Sequence, residues 1–288
     1  MPPGIRLWRR LVPVRLADAW VERVRWAAPA PPILTQFPGK PTARLEVYGL
    51  TVAAARTLQR AFGGEIRTLA AADWMAPQAR DFVLPIPRAL VLASESASIP
   101  SRHRGLPVLR IPAGMAFGTG EHATTALCLR QLVRAISKFK SQISNARSVR
   151  APRVIDAGTG SGVLALAAAL LGAQVEAFDF DPVCVRECRA NAARNPHIPR
   201  VRWQRADVLR HSPRAQADIL VANLYADLLL RALPRMKRWR APGGVMILSG
   251  VLRTQEAEVA AALAHLRLRP TRILRKGKWT CFAGVHDV

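Results

Sequence analysis

Acidic residues are scarce in this chain: 19 Asp and Glu stand against 43 Lys and Arg in 288 residues, a formal charge of +24. Only six of the basic residues are Lys. Such a balance raises affinity for polyanions through counterion release. A solvated arginine-rich face accounts for it equally well, because no acidic or aromatic patterning shapes a specific groove. Cysteine is also sparse. Cys128, Cys184, Cys188 and Cys281 include no Cys-x-x-Cys pair, which excludes a zinc knuckle or a disulfide framework and fits a reducing, cytoplasmic setting. Cys184 and Cys188 stand four apart on an expected helix, but no His or Cys completes a ligand set, so no metal is expected.

Long apolar runs are missing too. None reaches the ~18 residues that a membrane span requires, so no membrane role is expected. The basic, partly apolar leader from Leu7 to Leu16 is interrupted by Pro13 and followed by Asp18 and Glu22. It has no small-residue cleavage pattern, and reads as part of a folded or interaction-prone amino-terminal region. There is neither an internal repeat nor an extended low-complexity tract.

What is present is a chain able to bury a full core, 50% hydrophobic and long enough for one large domain and a smaller one. Ala28-Pro-Ala-Pro-Pro32 and Phe37-Pro-Gly-Lys-Pro41 separate the leader from a short unit. There, residues 44–48 alternate as a strand, 51–62 have helical spacing, Gly63-Gly64 ends the helix, and 65–69 form a second strand. Residues 73–110 are rich in Pro, with strands expected at 89–92 and 107–111. Beyond them, strand and helix alternate as in a doubly wound sheet. Strands are expected at 154–156, 174–179, 201–204, 219–222 and 245–249, and helices at 124–139, 163–171, 182–195, 227–239 and 254–266. Two closing strands, 271–274 and 279–285, are joined by Arg275-Lys-Gly-Lys278, which suits a hairpin. The expected division is a small α+β region with its linker at 1–106 and an α/β domain at 107–288.

Val154-Ile-Asp-Ala-Gly-Thr-Gly-Ser-Gly162 reads as a buried strand breaking into a glycine turn and then a helix, the arrangement that holds nucleotide-like cofactors. The dinucleotide fingerprint G-x-G-x-x-G is absent, because Val163 occupies its third glycine position. A tight structural turn would share this spacing. Asp179 ends the second strand, where a carboxylate can accept both hydroxyls of a ribose. Asp181, followed by Pro182, reads as a helix N-cap. Asp207 follows the third strand and reads either as an adenine contact or as an exposed loop residue. Asn223 ends the fourth strand at the carboxyl edge, where cofactor and substrate meet in this architecture. Its amide can fix a donor or orient an incoming amine; a turn Asn closing the strand is the rival reading.

The glycine spacing resembles the S-adenosylmethionine turn of class I methyltransferases. Met115-Ala-Phe-Gly-Thr-Gly-Glu-His-Ala-Thr-Thr125 is far more specific. With Phe178-Asp-Phe-Asp-Pro182, Val221-Ala-Asn-Leu224, Pro242-Gly-Gly244 and Leu248-Ser-Gly-Val-Leu252, it resembles the PrmA family, methyltransferases of large-subunit ribosomal protein eleven, over residues 107–285. The resemblance implies a class I methyltransferase sheet with a closing antiparallel hairpin, preceded by a small α+β domain that recognises the ribosomal protein. Residues 44–69 offer a compact β-α-β echo of that domain. S-adenosyl-L-methionine is the implied cofactor, with Thr124, Thr125, Gly158, Gly160, Asp179, Asp207 and Asn223 as donor-binding residues. Asn223 also positions substrate or donor for catalysis, and His122 is a local cap or loop anchor.

The implied reaction moves a methyl group to lysine ε-amines or the α-amine of the ribosomal protein. Asn223-Leu-Tyr lacks the two prolines that DNA and RNA amino-group methyltransferases often carry here, which argues against a nucleobase acceptor. The implied partners are that protein and, through the basic surface, ribosomal RNA or the ribosome; no oligomeric state is assigned. The alternatives are a methyltransferase of another basic protein or of RNA, and a non-catalytic ribosome-binding relative, against which the intact glycines and Asp179 count.

Overall fold

In the computed structural model, structure is described for residues 5–30, 32–36, 40–69, 81–112, 123–143 and 150–288. The chain forms two compact units, Met1–Ala79 and Arg80–Val288. Residues 80–106 therefore belong with the second unit, whereas the sequence grouping places them with the first.

The first unit is built as β-α-β-β-α-β: β1 (Ile5–Pro13), α1 (Ala17–Ala27), β2 (Ile33–Gln36), β3 (Thr42–Tyr48), α2 (Val52–Phe62) and β4 (Glu65–Leu69). Its antiparallel sheet has the order β2-β3-β1-β4, the ferredoxin-like split arrangement. The basic leader is thus a central strand. Trp8 and Val12 point into a core with Leu45, Val47, Ala55 and Leu58, while Arg9, on the other face, donates to the buried Glu46 at 2.8 Å. Thr51 caps α2, its Oγ1 accepting from Ala54 N at 3.2 Å.

The second unit opens with a three-stranded sheet, β5 (Val83–Ile86), β6 (Leu90–Ala93) and β7 (Val108–Arg110). Ile86, Leu90, Leu92 and Leu109 enter the same core as two helices of the main α/β body, α3 (Ala123–Ile143) and α4 (Val163–Leu170). The main sheet comprises β8 (Arg153–Ala157), β9 (Gln174–Asp179), β10 (Arg202–Arg205), β11 (Ala217–Asn223), β12 (Arg240–Leu252), β13 (Leu268–Arg269), β14 (Arg272–Lys276) and β15 (Trp279–Asp287). Its order is β10-β9-β8-β11-β12-β15-β13, with β14 paired to β15. The first five strands of that order are parallel, and β15 runs antiparallel to β12 and β14.

The remaining helices are α5 (Pro182–Ala193), α6 (Ala226–Trp239) and α7 (Glu256–His265). Both sheet faces are covered, which is why the central strands read as continuous apolar runs. In β11, Ile219 and Val221 pack with α3 and α4, while Leu220 and Ala222 pack with α6 and α7. Strand order reverses at β8, between β9 and β11, so the crevice for a ligand opens at the carboxyl ends of these strands. Among the described residues, no helix is long and apolar enough to cross a membrane.

Candidate active site

The chain leaving β8 turns through residues 158–162 into α4. Gly158 N and Thr159 N both donate to Phe178 O at 3.0 Å, lashing the turn to the end of β9. Gly158 has φ +74°, and a Cβ there would stand 2.3 Å from Leu224 Cδ2; only glycine meets both conditions. Asp179 accepts from Gly160 N through Oδ2 at 2.9 Å and from Asp181 N through Oδ1 at 3.0 Å. Each oxygen keeps acceptor capacity for a ligand hydroxyl. Asp181 caps α5, accepting from Val183 N at 2.7 Å with Pro182 in the first turn.

A buried layer that sequence reasoning did not single out supports this turn. Asp156 Oδ2 accepts from Thr159 Oγ1 at 2.7 Å and from Ala165 N at 3.1 Å, and Oδ1 has no partner among the described residues. Burial pushes its carboxyl up to about 7, against the lowering effect of those two hydrogen bonds. From α5, Cys188 Sγ donates to Gly160 O at 3.2 Å and Asn191 Nδ2 donates to Ser161 O at 2.9 Å. A Cβ on Gly162 would lie 3.0 Å from both Cys188 Sγ and Trp203 Cη2. The legible signal for Asp156 was a lone carboxylate inside an apolar strand; Cys188 and Asn191 gave none.

The facing wall comes from β11, β12 and α3. Asn223 Nδ2 donates to Thr124 Oγ1 at 3.2 Å. Thr124 and Thr125 are buried in the first turn of α3, and Thr125 Oγ1 has no partner among the described residues. Leu224 N donates to Ser249 O at 3.0 Å. Gly250, at φ +85°, lets that loop approach: a Cβ would fall 2.3 Å from Leu224 O. Asp207 is partly spent on its own turn, accepting from Leu209 N at 2.8 Å.

These walls enclose a cavity of about 480 Å³, within the range of small-molecule sites. Thr124, Thr125, Gly158, Gly160, Asp179, Asp207 and Asn223 all line it, so the seven residues expected from the sequence come together. Its apolar surface includes Leu164, Phe178, Val208 and Leu228. Phe180 and Tyr225 also line it, and both are largely exposed. Residues 113–122, which hold most of the Met115-to-Thr125 run and His122, lie outside the described residues.

The family described as ribosomal protein L11 methyltransferase (PrmA) matches residues 42–287. The chain belongs to this family. As a PrmA-family member it is an S-adenosylmethionine-dependent protein methyltransferase. The ribosomal protein L11 methyltransferase of Thermus thermophilus is 36% identical over 216 residues, 73% of this chain and 76% of that protein. Its counterpart in Chloroflexus aurantiacus is 34% identical over 244 residues, covering 75% and 69%. That of Desulfitobacterium hafniense is 40% identical over 158 residues; the match spans 55% of this chain and about half, 46%, of that relative. The crystal structure of ribosomal protein L11 methylase from Lactobacillus delbrueckii subsp. bulgaricus superposes with a TM-score of 0.59 at 28% identity, covering 71% of this chain and 98% of that one. The PrmA match begins within the first unit, at β3, which extends the likeness beyond the 107–285 span read from motifs.

Proposed function

We propose that the cavity at the carboxyl ends of β8, β9 and β11 holds S-adenosylmethionine, and that the chain methylates lysine ε-amines or the α-amine of ribosomal protein L11. The convergence of the seven polar and glycine positions on one cavity carries this reading. The residues fit the group. Asp179 presents a backbone-anchored carboxylate for ribose hydroxyls, the glycine turn lets the backbone approach, and Thr125 contributes a buried hydroxyl. Bound there, the donor supplies an electrophilic methyl group that already carries its leaving group.

The chain's own task is then placement. Asn223 is oriented by Thr124, and its amide oxygen is the acceptor for an incoming amine's N–H. A lysine amine starts near pKa ~10.4 and must be neutral to react, which entry into this largely apolar cavity favours by desolvation. The first unit, residues 1–79, together with the segment to 106, serves substrate recognition. A cytoplasmic location and contact of the basic surface with ribosomal RNA complete the reading, supported by the +24 charge.

The test is incubation of the enzyme with labelled donor and separated large-subunit ribosomal proteins. Label is expected in L11. Label confined to naked ribosomal RNA, or to another basic protein, would overturn the substrate assignment.

A further inference from the structure

A second pair of cavities lies away from the donor site, where β8, β9, β10 and β11 begin rather than end. One, of about 730 Å³, is lined by Gln174 and Val175 of β9, Arg202 and Trp203 of β10, and Arg189 of α5, together with Arg200. The other, of about 210 Å³, shares Gln174, Val175 and Arg202 and adds Arg153 and Arg214. The shared residues make one continuous groove that presents five arginines. No Asp or Glu lines the larger cavity. The acid in the smaller one, Glu176, is already engaged by Gln204 Nε2 at 2.8 Å, His211 Nε2 at 3.1 Å and Arg202 at 3.8 Å.

Arg153, Arg189, Arg200 and Arg214 are exposed and make no salt bridge among the described residues. Asp218, near Arg153, is held by both terminal nitrogens of Arg150 at 2.6 and 2.7 Å. Arg153 still feels the charge of Asp218, but holding Arg189, Arg200 and Arg214 along one groove without ion pairs among the described residues is unfavourable until an anion arrives. The floor is apolar, formed by Leu166, Val175 and Ile198 beside the half-buried indole of Trp203.

The geometry points to a docking groove for single-stranded RNA, at the sheet edge opposite the methyl-donor cavity. Arginine forks match phosphate oxygens, and the apolar floor with its indole offers a face on which a base can stack. The cationic stretch runs through two adjoining cavities, longer than one phosphate group requires. An acidic peptide would satisfy the charge but offers no planar partner for Trp203. This localises the basic-surface reading above on named residues.

The test is fluorescence anisotropy of a labelled mixed-sequence RNA of about 12 nucleotides titrated with the full chain at several salt concentrations. Arg189→Gln/Arg200→Gln/Arg214→Gln is expected to weaken binding at least ~tenfold and to flatten the salt dependence by about two in slope, at ~0.7 per phosphate. A charge-matched control, Arg253→Gln/Arg269→Gln/Arg272→Gln, is expected to change affinity less than about twofold, since its loss is remote from the groove. Equal loss in both triples would overturn the groove as the site, as would tighter binding of a polyglutamate peptide than of the RNA. Melting temperature checks the fold, and the three single substitutions carry the test if the triple unfolds. Methyl transfer to L11 is read separately by label, so either reading can fail with the other intact.

Discussion

Asp156 and Asp179 each accept a hydrogen bond from the same glycine loop and do opposite things. Asp179 faces the cavity, whereas Asp156 lies beneath it, its carboxyl pushed up to about 7 by burial. The folded chain keeps the Asp156 proton to about pH 7, while the unfolded chain releases it near 3.8. Between those values the unfolded state binds fewer protons, so stability falls as pH rises from about 4 to about 7 and then levels off, a change on the order of 4 kcal/mol. Asp156→Asn keeps an oxygen for Thr159 and Ala165 and is expected to remove this slope, read as melting temperature against pH; an unchanged slope would assign it to another group.

At the cavity itself, Asp179→Ala and Asn223→Ala are each expected to cost about tenfold or more in donor affinity or turnover, roughly 1.4 kcal/mol or more. Calorimetry with the donor and steady-state rates check this, and full donor affinity and rate in both variants would remove them from the site. Asp179 and Gly158 were legible because spacing from a strand end fixes them. Asn191 and Cys188 were not, because they reach the turn across tertiary packing from a helix whose own periodicity says nothing of it.

Elements whose two faces differ in kind were the hardest to read. β1 runs Leu7, Trp8, Arg9, Arg10, Leu11, Val12, in doublets that follow neither a two-residue nor a helical period. Its inward Trp8 and Val12 and its outward, ion-paired Arg9 become intelligible only once β3 supplies Glu46. β8 and β11, buried on both faces along nearly their whole length, were plain. The proline-rich stretch before residue 107 was grouped with the first domain and its linker, yet Ile86, Leu90 and Leu92 are core residues of the second unit.

One side chain ties that stretch down. Asn195 accepts from Arg110 N at 2.8 Å and donates to Arg110 O at 2.7 Å and Asn191 O at 2.8 Å, joining β7 to the end of α5 across 85 positions of sequence. Asn195→Ala leaves these backbone groups unsatisfied and is expected to cost about 2–3 kcal/mol, read by urea unfolding. A loss below about 0.5 kcal/mol would show that water replaces the amide.

For the whole molecule, every residue lining the donor cavity falls in the unit Arg80–Val288, which carries its own two-sided core. A fragment of residues 80–288 is therefore expected to bind S-adenosylmethionine within about threefold of the full chain while methylating L11 poorly. Calorimetry and the labelling assay separate these two quantities, and full activity of the fragment would relieve residues 1–79 of substrate recognition. Net charge was legible from composition, but the grouping of arginines was not: Arg153, Arg200 and Arg214 are dispersed in sequence and come to the groove because parallel strands begin side by side, and Arg189 is added from α5.

Trp203 belongs to two compartments at once. Its strand lines the arginine groove, and its ring edge lies against Gly162, the last residue of the donor turn. An occupant that shifts this ring does thermodynamic work on the turn, and the exchange is reciprocal: whatever factor RNA imposes on donor affinity, the donor must impose on RNA affinity. With RNA in the groove, the indole would be the shared corner of a free-energy square joining the two ends of the strands.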